Sequence, residues 1–233
     1  MLLNSIREIS KAEIPMAYSD FTLARSRETF ALTLEENRNL FADTAAVTPS
    51  EILTLQLNEY ISLATAINTE KARSELLIAP ILTEVRRQVK YQASLFSGTE
   101  FNVEPTRGLQ GFCDFILSGS PEQFYISAPV ITIVEAKNEN IKAGLGQCVA
   151  EMVAAQLFNQ TASNKIDSIY GTVTSGTTWR FLILENQTLF IDSIEYYIKE
   201  ADKILGILLQ PIQAYLAKKG EGEGSETNRI SGV

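Results

Sequence analysis

Three residues have types and spacing that could do chemistry together: Asp114, Glu135 and Lys137. Asp114 lies in Gly-Phe-Cys-Asp-Phe-Ile-Leu (111–117). In a strand, Phe112, Asp114 and Ile116 share one face and Cys113, Phe115 and Leu117 the other. An aspartate flanked by large apolar residues is drawn toward a buried surface, where a carboxylate is costly unless paired or metal-bound. The run Val-Ile-Thr-Ile-Val-Glu-Ala-Lys (130–137) places Glu135 and Lys137 two apart, on one face at the end of a second strand. Adjacent strands would gather all three. Two close carboxylates repel unless a cation lies between them. Magnesium, with manganese as a substitute, suits oxygen ligands completed by water and phosphate. It would activate a bound water and neutralise charge on a phosphate, while the ammonium would position that water or stabilise the transition state. An acid-x-Lys triplet arises by chance about once in a chain of this composition, so its placement at the end of an apolar strand carries the weight. The plainer reading is a buried ion pair of Lys137 with Glu135 or Asp114.

Composition narrows the chemistry. The 233 residues contain no histidine, which excludes Ser-His-Asp hydrolysis, histidine-based nuclease chemistry and histidine-ligated zinc. Cys113 and Cys148 cannot form a zinc cluster alone and read as small buried hydrophobes with free thiols. Any metal is therefore expected to be a hard cation held by oxygen. The net charge of −8 counts against coating nucleic acid non-specifically, though a local basic groove is compatible with it. The opening residues, MLLNSIREIS, lack the apolar core of an export signal, and no stretch is long and apolar enough to span a membrane. A cytoplasmic location is expected.

The elements that must position the triad follow from periodicity. Residues 1–68 read as an N-terminal helical extension packed on the core. It contains helix-like pieces up to 48, then a helix capped by Ser50 and running through Leu53, Leu57 and Leu63. A second helix starts near Asn68 or Thr69, and Pro80 is expected to kink it. Strands follow at Phe101–Val103, Leu109–Leu117 and Val130–Ala136, then a helix over Ile141–Phe158. Further strands are expected at Ser168–Val173, Thr178–Leu184 and Leu189–Ile191, and a last helix over Lys199–Leu216. The fold class is α/β, a central mixed β-sheet flanked by helices, with the core over 69–217. The tail 218–233 (KKGEGEGSETNRISGV) is expected to be disordered.

Asp114, followed by Glu135-Ala136-Lys137 in a helix–strand–strand–strand–helix–strand order over Thr69–Leu184, resembles the PD-(D/E)XK nuclease superfamily. The likeness implies a restriction-endonuclease-like αβββαβ core, Asp114 and Glu135 as metal ligands and Lys137 as the catalytic lysine. Cys113 stands where the motif proline is usual. By the same resemblance Glu75 supplies a glutamate from the helix before the sheet, as a further ligand, and Gln147 lines the site from the helix after it. Both should point to the cluster, with Glu84 and Glu139 peripheral. The segment Lys71–Thr174 also resembles a protein type widespread in cyanobacteria, which implies a bacterial source and points to no particular function.

Gln147 and Glu151 share one helical face, and Gly144 and Gly146 would let that helix approach the sheet closely. Lys71, Arg73, Arg107, Lys142, Lys165 and Arg180 are candidates for a phosphate-contacting rim, Arg107 and Lys142 foremost, although surface solubility explains each one singly. Trp179 and Tyr170 read as core residues. The expected function is magnesium-dependent phosphodiester hydrolysis, endonuclease or exonuclease, with a nucleic acid partner (DNA before RNA), no membrane, and a homodimer compatible. The alternatives are a non-catalytic nuclease-fold module that binds protein or nucleic acid, and a small-molecule hydrolase using the same carboxylates.

Overall fold

The computed structural model describes residues 16–164 and 166–230, with side chains as far as residue 221. A 3₁₀ turn (Tyr18–Asp20) and α1 (Leu23–Thr29) lead into β1 (Thr33–Arg38). Next, α2 (Glu51–Ile67) is capped by the Ser50 hydroxyl, which accepts the Leu53 N–H at 3.3 Å. Then α3 (Glu70–Arg73) passes through a π-helical turn (Ser74–Ile78) into α4 (Ala79–Gln88). Pro80 thus falls just past a π turn, the irregularity through which a helix absorbs a missing donor. The remaining order is β2 (Ser94–Glu100), β3 (Phe112–Ser118), β4 (Val130–Ala136), α5 (Ile141–Thr161), β5 (Ser168–Thr174), β6 (Thr178–Glu185), β7 (Thr188–Asp192), β8 (Tyr196–Tyr197) and α6 (Ala201–Ile230).

The molecule is an α/β fold around one mixed eight-stranded sheet in the order β1-β7-β6-β5-β4-β3-β2, with β8 on β6. Pairs β4–β5 and β1–β7 are parallel and the others antiparallel. Helices cover both faces. On one face Leu53, Leu57, Leu77, Ile81, Leu205 and Leu208 bury Phe115, Val134 and Phe181. On the other, Val149 and Met152 of α5 bury Ile116, Ile133, Ile169 and Leu182. A bulge in β4 between the partners of Leu117 and Ser118 lets Ile131 pack on the first face and Ile133, two residues on, pack on the second.

Four features differ from the sequence expectation. Residues 33–38 form a sheet strand, although Thr-Leu-Glu-Glu-Asn-Arg has one apolar residue and no strand pattern; its order comes from pairing with β7. The region before residue 68 is therefore part of the sheet as well as a helical covering. The first central strand is Ser94–Glu100, ahead of the expected 101–103. Finally, α6 runs from Ala201 to Ile230, beyond the expected end at Leu216. Extension from a helix already anchored by Ile204–Ile212 avoids the cost of nucleation. Residues 1–15 and 231–233 lie outside the described residues. Among the described residues no helix is long and apolar enough to cross a membrane.

Candidate active site

The site forms where two strands part. In the β3–β4 ladder Ile116 faces Ile133 and Phe115 faces Val134, and there the pairing stops. Asp114 would come next, opposite Glu135. Instead its Oδ2 accepts the Ala136 N–H at 2.7 Å, so a side chain replaces a main-chain carbonyl at the fork. On its other side β4 stays tied to β5: Glu135 faces Val173, Ala136 faces Thr174, and the Lys137 N–H donates to the Thr174 carbonyl at 2.8 Å. Alternation then sends Glu135 and Lys137 to the face covered by α5.

Glu135 is fully buried. Its Oε1 forms an ion pair with the Lys137 ammonium, without hydrogen-bond alignment, and its Oε2 meets no donor among the described residues. Burial, and then the Asp114 charge, push its carboxyl up to about 8, against the pull of Lys137. Burial works to lower the Lys137 ammonium, but the charges of Glu135, Glu70 and Asp114 outweigh it and hold the ammonium above its usual range.

From α5, Gln147 donates through Nε2 to Glu151 Oε1 at 3.1 Å, and its Oε1 lies 3.5 Å from the Lys137 ammonium. Glu151 is fully buried and its Oε2 has no partner among the described residues. Burial, then Glu135, raise it well above the usual carboxylate range, with Gln147 opposing. Gly144 permits this approach: a Cβ there would lie 2.7 Å from Val173 Cγ1 and 3.0 Å from Lys137 Cγ. Opposite, a Cβ on Gly171 would lie 2.3 Å from the Met152 sulfur. A Cβ on Gly146 would lie 2.3 Å from the Phe21 carbonyl oxygen, so α5 is clasped from outside by the start of α1.

Asp114, Glu135, Lys137 and Gln147 are thus brought together. Glu75 is not. It is exposed and pairs with Lys71 at 2.6 Å, one turn back along its own helix. The π turn containing it shifts the helical phase, and the acid of this rod whose charge acts on Lys137 is Glu70. Glu139 is exposed and accepts from Asn68 Nδ2 at 2.9 Å. Glu84, expected at the periphery, is buried, but it serves α2 by accepting from the Ser50 N–H and hydroxyl. The sequence marks Glu151 only as a neighbour on the Gln147 face, and the i,i+4 spacing is its signal.

The expected basic rim is mostly committed elsewhere. Arg73 binds Asn68, the Ser175 carbonyl and Thr177; Arg107 pairs with Glu104, and Arg180 with Glu195. Lys142 lines a cleft of about 450 Å³ beside Arg180 and Asp192. Lys165 lies outside the described residues. Trp179 is buried with its indole N–H on the Gly176 carbonyl, and Tyr170 packs half-buried against the first core. Cys113 and Cys148 are buried free thiols; burial and then the Glu151 and Glu135 charges push both up, so neither is a thiolate.

Among the described residues no group of three acidic or cysteine side chains is placed to hold a metal ion. Asp114 and Glu135 nonetheless fit a hard cation that keeps several waters: both offer oxygen, and the buried Glu135 Oε2 has no other partner. No protein-family model, curated protein or solved structure matches the chain.

Proposed function

We propose that this chain is a magnesium-dependent phosphodiesterase of nuclease type. The observation that carries the reading is the fully buried Glu135, with an oxygen lacking any donor, opposite Asp114 and paired to Lys137. Two acids and a lysine crowded at one fork, with Glu135 fully buried, are costly as architecture alone, and such strongly shifted groups cluster at functional sites. The helical rod 70–88, then β2, β3, β4, α5 and β5, has the order of a restriction-endonuclease-like core, which supports the same reading. Asp114 and Glu135 would hold magnesium, or manganese in its place. When bound, the ion supplies an activated water and neutralises phosphate charge. Lys137 directs its ammonium at the attacking water, and Gln147 braces Lys137 from α5. DNA is the favoured substrate and RNA the second.

The test uses purified protein with magnesium or manganese on plasmid DNA, linear DNA and RNA. Wild type should cleave, Asp114→Asn should lose both metal binding and cleavage, and Lys137→Ala should lose cleavage while still binding metal. Cleavage undiminished in both variants would sink the proposal. The second reading, a non-catalytic module of the same fold, draws support from the net charge of −8 and from arginines already engaged within the protein. A manganese titration that produces no heat and no thermal shift would favour it.

A further inference from the structure

Glu151 occupies a place where α5 otherwise presents small or apolar side chains to the sheet. Gly144, Cys148, Met152 and Ala155 fill the same stripe, all buried. A carboxyl there is expensive, and one of its oxygens has no partner. Among the described residues its one hydrogen bond is from Gln147 Nε2, at 3.1 Å. That bond decides which way the Gln147 amide faces. With Nε2 turned to Glu151, Oε1 must turn to Lys137, whose ammonium lies 3.5 Å away and can only donate. Without an acceptor at 151 the amide could rotate and present its NH₂ to an ammonium, a contact with no hydrogen bond to offer. Tyr18 is buried nearby and its hydroxyl donates to the Phe101 carbonyl; burial, then Cys113 and Glu151, raise it.

We propose that Glu151 is a positioning residue that fixes the Gln147 amide and, through it, the Lys137 ammonium. The inference rests on the phosphodiesterase reading above. Glu151 touches neither substrate nor the reacting atoms, and it acts in one direction along α5.

A double-mutant cycle tests the chain of contacts. Glu151→Leu keeps the volume and removes the acceptor. Its kcat should fall about 10- to 100-fold, as for other outer partners of a metal site, with manganese affinity unchanged. Glu151→Gln retains an acceptor and should restore most of the rate. Gln147→Leu should lose as much as Glu151→Leu, and the double variant should lose no more than either. Losses that multiply, or a Glu151→Leu loss tracked wholly by a lower melting temperature, would overturn the proposal. A readout free of activity keeps it distinct from the nuclease reading. The Lys137 ammonium resonance should shift in Glu151→Leu and Gln147→Leu alike. If wild type fails to cleave but these shifts coincide, the phosphodiesterase reading fails and the brace stands; if the resonance stays in place, the brace fails.

Discussion

Glu135 should make the stability of the fold depend on pH. Its carboxyl is pushed from an ordinary value near 4.5 up to about 8, first by burial and then by the Asp114 charge. A raised folded-state value means that the folded protein holds a proton that the unfolded chain releases. The associated stability is full below about 4.5 and is lost as pH rises through about 8. At about 1.4 kcal/mol per unit, raising the pH from 5 to 9 without metal should cost on the order of 4 kcal/mol. Glu151, raised in the same direction by burial and by Glu135, adds to the decline. Urea unfolding from pH 5 to 9, in chelator and in 10-fold excess magnesium, measures it. Stability in chelator should fall with pH, magnesium should restore more of it at pH 9 than at pH 6 because binding displaces the proton, and Glu135→Gln should flatten the chelator curve. The reasoning is refuted if the wild-type curve in chelator is level, or if Glu135→Gln leaves its slope unchanged.

Other perturbations have equally definite outcomes. Asp114→Asn keeps an acceptor for the Ala136 N–H and removes a charge that repels Glu135, so metal-free stability should hold or rise; Asp114→Ala orphans that buried amide and should cost about 1–3 kcal/mol by the same unfolding measurement. Gly146→Ala drives a methyl into the Phe21–Thr22 backbone; overpacking of this kind costs about 1–3 kcal/mol, and exchange of the α1 amides should quicken ahead of the rest of the molecule. Glu84→Gln should loosen the start of α2. Although burial works to raise it, the Glu84 carboxyl is held below its usual range by hydrogen bonds from Ser50, Gln88 and Arg87. Its contribution is present above the ordinary carboxylate value and fades as pH falls, so wild type and variant should converge in stability in acid.

The triad could be read from the chain because alternation in a strand is a local rule: Asp114 among large apolar residues, and Glu135 two before Lys137, follow from sequence neighbours alone. Gln147 and Glu151 could be paired on a helical face by the same kind of counting. Glu75 entered by resemblance alone, with no local rule to say which way it faces, and in the structure it lies exposed against Lys71 within a π turn. The brace at Glu151 also depended on which way an amide turns, which only the surrounding donors decide. β1 escaped notice for a different reason. Thr33–Arg38 is mostly exposed and has no alternating core face, so its conformation is imposed by a partner more than 150 residues away, Thr33 against Thr188.

That partnership has a consequence for how the chain is made. β7 leaves the ribosome long after β1, so during synthesis β1 must wait without its neighbour, and the closure between them comes late on loop-entropy grounds. Waiting is tolerable because Glu35, Glu36 and Arg38 keep the segment hydrated and charged. Once in place, the same charges form one outer border of the sheet, discouraging a neighbouring molecule from adding a strand there. A segment with little hold on its own conformation is thereby suited to be both the patient first piece and the guarded rim.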